Sequence, residues 1–364
     1  MEHVNLLACV RDLHYIFLYD ANTFGLGEML PAGDDRVHLR RGEVVDMAQV
    51  SIIGGGNVGA NAAFFIAEKG VTDVLLVDIK AGLSRGKMLD IMEAAPIRRY
   101  RNHLSGSDSL ADIKGSEFVV VAAGAIRSPG MRREELYAVN AGLIRGLAPD
   151  IARLAPDAVV VIATEPVDGL TALFTRVSGF PRTRVLGVGG ILDSMRLRAL
   201  IARELDVSME IVSALVMGRH SDDMVCLPRY STVGGVPLPL LLPPEKVAAL
   251  VEETRTAGDL VVELAKRSSA YYAPSAAIAE LADSVHMDLN RMFSVSMVLE
   301  GEYGIRDAAL SVPAFIGSRG ASRIVTPELT PQETAVLQES ARRIAAAVSG
   351  TPVGAAAHGD GGKK

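Results

Sequence analysis

The sequence predicts an α/β protein in which a doubly wound parallel sheet is followed by a second domain of α+β type. Short apolar runs recur at residues 50–53, 74–77, 118–123, 158–163 and 184–188. Each is too short for a stable helix and lacks polar alternation, as expected of strands buried on both faces. Helical patterns fall between them, at 60–68 and 133–147, and strands that alternate with helices build parallel sheets. After Asp193 the texture changes. Longer helical patterns occupy 194–205, 244–266, 276–282 and 331–348, with strand-like pieces at 211–217, 293–299 and 308–313 between them. The change places a domain boundary near Gly190, giving a first domain over 47–190 and a second over 191–349.

Composition narrows the function classes. The 364 residues are 49% apolar, enough for a sizeable core, and carry a formal charge of −6 with acids and bases interspersed. Such a balance leaves no basic footprint for nucleic acid or an anionic membrane, so any anion site has to be built locally. No run reaches the roughly 20 apolar residues of a bilayer span, and the start lacks the charge and apolar centre of a secretory signal. The two cysteines, Cys9 and Cys226, neither form a disulfide framework nor show metal-ligand spacing, which fits a reducing cytoplasm. Cys226 reads as a small core residue. Residues 1–46 show no sustained period and receive no fold. Met47 immediately precedes the first strand, so one expectation is that translation naturally starts there; a structured oligomer arm is the other. Residues 350–364, rich in Gly and Ala, read as a disordered tail.

The first strand runs into Gly54-Gly55-Gly56-Asn57-Val58-Gly59 and a helix, and the second strand ends at Asp78. This strand–turn–helix–strand unit, of Rossmann type, has a job for each part. Gly54 permits the tight turn, Gly56 lets backbone N–H groups near Asn57 and Val58 approach a pyrophosphate at the helix N-terminus, and Gly59 allows close helix–strand packing. Asp78 would accept hydrogen bonds from ribose hydroxyls and repel a 2′-phosphate, favouring NAD over NADP. In the second half, Asp193 and Arg196 share a helical face at i, i+3 and precede His220. The three supply a carboxylate to orient an imidazole and an arginine to hold an acid.

These residues carry a resemblance. The segments 53–59, 86–90, 123–131, 192–196, 228–233 and 299–304 are similar, in the same order, to the lactate/malate dehydrogenase superfamily, and most to the lactate-dehydrogenase-like bacterial malate dehydrogenases. The resemblance covers roughly Ala48 to Ser349. It implies that His220 is the general acid/base of a hydride transfer between a 2-hydroxy acid and NAD, suited to this by an ordinary pKa near 6.5. It implies that Asp193 orients the imidazole and that Arg196 grips the substrate's 1-carboxylate. Arg133 matches a loop arginine that closes over the substrate and polarises its carbonyl. Arg127 matches the position that answers the substrate side chain, where arginine fits a second carboxylate, as in malate and oxaloacetate, and lactate-type enzymes place glutamine. Asn140 and Ala163 are implied cofactor contacts, and the assembly implied is a homodimer or homotetramer.

Two positions depart from the family pattern. Thr164-Glu165-Pro166-Val167-Asp168 stands where the family reads Thr-Asn-Pro-Val-Asp, and Ser221 follows His220 where the family has glycine. The asparagine replaced by Glu165 is the residue that hydrogen-bonds the substrate oxygen. A carboxylate 4 Å from a like charge is repelled by about 4 kcal/mol at an effective dielectric of 20. Glu165 thus keeps two alternatives open: a different 2-hydroxy acid, one bearing a hydroxyl or ammonium at the corresponding place, or an NAD-binding protein with weakened or lost turnover. Ser221 would need a backbone adjustment if its position required positive φ.

Overall fold

The computed structural model describes residues 49–126, 133–265 and 270–350, with Arg133 and Glu134 described by their main chain alone. The expectations for residues 1–46 and for the tail after Gly350 lie outside the described residues. The elements in chain order are β1 (Gln49–Ile53), α1 (Asn57–Lys69), β2 (Asp73–Val77), α2 (Leu83–Arg98), β3 (Leu104–Ser107), β4 (Phe118–Val121), α3 (Arg133–Leu154), β5 (Val159–Ile162), α4 (Val167–Ser178), β6 (Val185–Gly187) and α5 (Gly189–Leu205). Then follow β7 (Val212–Ser213), β8 (Val216–Met217), β9 (Val225–Cys226), β10 (Thr232–Val233), β11 (Val236–Pro237), α6 (Pro244–Ala265), α7 (Tyr272–His286), β12 (Arg291–Glu300), β13 (Arg306–Gly317), β14 (Gly320–Ile324) and α8 (Pro331–Ser349).

Six parallel strands lie in the order β3-β2-β1-β4-β5-β6, the doubly wound order that leaves a crevice where the winding reverses, between β1 and β4. The central strands are entirely buried, Phe118–Val121 and Val159–Ile162 at 0% exposure, because helices cover both faces. Helix α1 packs Gly59, Ala62, Ala63, Ile66 and Ala67 inward and stops at Gly70, whose left-handed φ of 67° and N–H to Ala67 close the last turn. Helix α8 starts at a reciprocal cap in which the Thr330 hydroxyl accepts from the Glu333 N–H and the Glu333 carboxylate accepts from the Thr330 N–H.

The sheet continues past β6 through β12, β13 and β14, all antiparallel, to nine strands. The junction is narrow: β12 meets β6 at one register pair, Ser296 opposite Gly187. The described residues fall in one compact unit, and Gly190 lies at the start of α5, just after the last parallel strand. A second cluster beneath α5 and α6 gathers Leu197, Ile201, Val216, Leu238 and Leu250 around Cys226. Cys226 is therefore a core residue, its thiol pushed up to about 12 by burial.

The expected strand over 211–217 is two strands in two sheets: β7 pairs with β10, and β8 with β9. Hydroxyl groups hold the first residue of β8. Val216 N–H donates to Ser194 Oγ at 3.1 Å, and the Ser294 hydroxyl donates to Val216 O at 2.5 Å. The edge strand β3 and helix α2 are the elements that patterning announced least. Strand β3 reads Leu-Ser-Gly-Ser, and α2 exposes most of its length and holds Pro96 in its last turns.

Candidate active site

The chain turns sharply as β1 ends. Gly54 has φ +111°, and a Cβ there would lie 2.5 Å from Ala123 N, where the loop after β4 crosses. A Cβ at Gly59 would lie 1.9 Å from Gly54 O, so helix and turn touch backbone to backbone. Gly56 caps α1 with no side chain on the free N–H groups of Asn57 and Val58, and a Cβ at Gly56 would meet nothing within 4 Å. The cradle is open, donor-lined and at the positive end of a helix, which fits a pyrophosphate. Asp78, at the end of β2, helps build it: its carboxylate accepts from Gly55 N–H at 2.7 Å and Lys80 N–H at 2.9 Å. Each oxygen keeps lone pairs for ribose hydroxyls. These residues fit a dinucleotide.

The crevice between the two windings is floored by the loops after β4 and β5. Asn140, 1% exposed on α3, ties them together. Its Oδ1 accepts from Ala125 N–H at 2.8 Å, and its Nδ2 donates to Glu165 O at 2.7 Å. Its carboxamide is engaged by the protein, a role the sequence reading did not foresee. Ala163 follows β5, its N–H on Val121 O at 2.9 Å. Thr164 donates its hydroxyl to Ala123 O at 2.7 Å.

His220 stands between β8 and β9, its ring bracketed by acids. Nδ1 lies 2.8 Å from Asp193 Oδ2, and Nε2 lies 3.4 Å from Glu165 Oε1. Asp193 is 1% exposed on the inward face of α5. Its other oxygen takes Arg196 Nη1 at 3.2 Å, so the i, i+3 pair shares a face as expected and Arg196 is itself held by the carboxylate that orients the imidazole. Gly258 of α6 leaves room for that guanidinium, since a Cβ there would sit 3.3 Å from both Nη atoms. Burial by itself would lower the His220 pKa, but the charges of Asp193 and Glu165 outweigh it and raise it to about 9. The two carboxylates thus favour the charged imidazolium.

Four of the expected residues, Asp193, Arg196, Glu165 and His220, come together at one site. Arg127 lies outside the described residues, and Arg133 opens α3 with its side chain outside them as well. Glu165 stands half exposed, its second oxygen accepting from Val167 N–H at 3.3 Å. Ser221 keeps negative φ and donates its hydroxyl to Asp222 at 2.8 Å, so serine needs no left-handed backbone here.

Two contributors escaped the sequence reading. Asp168, 3% exposed in the first turn of α4, accepts the His220 main-chain N–H at 2.7 Å and the Ser296 hydroxyl at 2.6 Å. Burial pushes its carboxyl up to about 6, against those two hydrogen bonds. Gly189, at the start of α5, lies under the imidazole; a Cβ there would come 2.7 Å from His220 Cβ. The faint signal for both was a short residue, one acidic and one glycine, just past a strand end.

Sequence comparison matches residues 48–187 to the lactate/malate dehydrogenase NAD binding domain and residues 191–350 to the lactate/malate dehydrogenase alpha/beta C-terminal domain. The chain belongs to the lactate/malate dehydrogenase family. It is 41% identical over 305 residues to a malate dehydrogenase of Desulforudis audaxviator, covering 84% of this chain and 99% of that protein. It is 43% identical over 296 residues to one of Thermomicrobium roseum, covering 81% and 96%. Among solved structures, apo malate dehydrogenase from Picrophilus torridus superposes with a TM-score of 0.80 at 35% identity, over 84% of this chain and 98% of that one.

Proposed function

We propose that the protein interconverts (S)-malate and oxaloacetate with NAD as hydride carrier. The observation that carries this reading is the His220 imidazole held at Nδ1 by Asp193, with Arg196 on the same carboxylate, at the mouth of an NAD-binding fold. When bound, the nicotinamide supplies or accepts the hydride. The chain's own residues do the rest. Protonated His220 donates from Nε2 to the oxygen of the oxo acid and takes the proton back in the reverse direction. Asp193 holds the ring in one orientation and stabilises its charged form, as the third member of a catalytic triad does. Arg196 offers a planar fork to the 1-carboxylate, while Arg127 answers the second carboxylate and Arg133 closes over the carbonyl. Asp78 selects NAD over NADP. A cytoplasmic homodimer or homotetramer completes the proposal.

A second reading rests on Glu165, whose Oε1 faces the same Nε2 that must meet the substrate oxygen. It is a dehydrogenase for another 2-hydroxy acid, one bearing a hydroxyl or ammonium at the place Glu165 faces, or an NAD-binding protein of weakened or lost turnover. Steady-state rates with oxaloacetate, pyruvate and 2-oxo acids carrying a hydroxyl or ammonium separate the two. A preference of at least tenfold for oxaloacetate in kcat/KM is expected, and a higher value for pyruvate or a hydroxylated acid overturns the malate reading.

A further inference from the structure

We propose that Asp168 is a positioning residue for the catalytic imidazole, holding the main chain of His220 where Asp193 holds its ring. This rests on the assignment of His220 as the proton donor. The segment carrying His220 is anchored on both sides. Gly218 exchanges two hydrogen bonds with Ser311 at 2.9 Å each, and Arg219 grips Asp223 through two hydrogen bonds at 3.0 and 2.8 Å. Between these anchors the His220 N–H is bonded to a side chain from another element, Asp168 Oδ2 of α4, at 2.7 Å. The second oxygen, Oδ1, is held by the Ser296 hydroxyl of β12 at 2.6 Å. Ser296 is the residue that pairs with Gly187 where the parallel and antiparallel strands join. One carboxylate therefore links helix α4, the histidine loop and the junction of the sheet.

The chemistry of the position calls for a reason beyond stability. Asp168 is 3% exposed, and among the described residues no lysine or arginine comes within 4.0 Å of it. A buried carboxylate with no lysine or arginine beside it is costly to desolvate. Two hydrogen bonds and the positive end of α4 hold it in place. Among the described residues, the charged groups that act on it most are the His220 ring and Glu165, and its Oδ2 is committed to the His220 N–H.

Geometry makes the result legible. With its main chain held by Asp168, its Cβ over Gly189 and its Nδ1 on Asp193, the ring has one direction left for Nε2. A misplacement of roughly 1 Å at a reacting atom costs roughly 100-fold in rate, and release of the N–H lets the loop move on that scale. The substrate carboxylate is gripped elsewhere, at Arg196, so the loss belongs in kcat.

The test compares Asp168→Ala with Asp168→Asn in the full-length protein. The amide is isosteric, and it can turn its oxygen to the His220 N–H and its Nδ2 to Ser296 Oγ. Expected for Asp168→Ala is a fall in kcat of about 100-fold with KM for oxaloacetate within about threefold and NADH affinity, read by fluorescence titration, unchanged. For Asp168→Asn, kcat within about threefold of wild type is expected, the rescue that a main-chain acceptor requires. A readout independent of turnover is the low-field proton resonance of the His220–Asp193 hydrogen bond, expected in wild type and Asn and absent in Ala. Wild-type kcat in folded Asp168→Ala, or an Asn variant as impaired as Ala, overturns the proposal. Should Asp168→Ala fail to fold, Ser296→Ala decides, with a three- to tenfold lower kcat expected and an unchanged one contrary. Wild type that turns over no oxo acid but shows the resonance, lost in Ala, would overturn the malate reading and leave the positioning role standing.

Discussion

Replacing Glu165 by asparagine is expected to make the enzyme faster on oxaloacetate. The wild-type carboxylate sits 3.4 Å from His220 Nε2, and a substrate oxygen that receives the proton must come within about 3 Å of the same nitrogen. The two oxygens compete for one N–H, and the dicarboxylate brings like charge to within about 4 Å of Glu165. Coulomb repulsion at that distance is about 4 kcal/mol at an effective dielectric of 20 and about 1 kcal/mol in bulk water. The Glu165 side chain is 50% exposed, so screening pulls the figure toward the lower end, to about 1–2 kcal/mol. That corresponds to a gain of roughly 5- to 30-fold in kcat/KM for Glu165→Asn. The assay is steady-state oxaloacetate reduction followed by NADH absorbance at low and moderate salt. Removing the carboxylate also removes one of the charges that raise the His220 pKa to about 9, so the alkaline limb of the kcat/KM profile moves to lower pH. Wild type equal to or better than Glu165→Asn refutes the reasoning; a gain for Asn without one for the isosteric Glu165→Gln would assign the effect to the shape of the donor and not to charge.

Further outcomes follow from the same geometry. Gly189→Ala places a Cβ 2.7 Å from His220 Cβ, and kcat is expected to fall by about 100-fold while NADH binding, measured by fluorescence, holds. His220 is raised from 6.5 to about 9 in the fold, so its contribution to stability is fully present below pH 6.5 and is lost as pH rises through about 9. The difference is on the order of 3 kcal/mol; urea midpoints of wild type should fall across that window relative to His220→Gln, and parallel curves would contradict the assignment. In the same window oxaloacetate reduction declines and malate oxidation rises, because one needs the imidazolium and the other the neutral ring. Asp78→Ser should weaken NADH binding about tenfold and let NADPH support turnover, measured as the ratio of kcat/KM values; an unchanged ratio would remove Asp78 from cofactor choice.

The sequence by itself determined a good deal here. The buried strands, the glycine turn and the acid at Asp78 are local signals, because a βαβ unit is built from neighbours in the chain and its glycines answer to backbone geometry. The pair Asp193 and Arg196 was equally legible, since helical spacing alone puts i and i+3 on one face. Tertiary structure decided what depends on segments far apart in sequence. It set Glu165 against the outer nitrogen of His220, 55 positions away, gave Asn140 to two loops, divided 211–217 between two sheets, and brought Asp168, His220 and Ser296 to one point. No periodicity encodes such meetings. They follow from the order in which the strands pack, and a buried polar atom can take its partner from whichever strand or helix that order brings beside it.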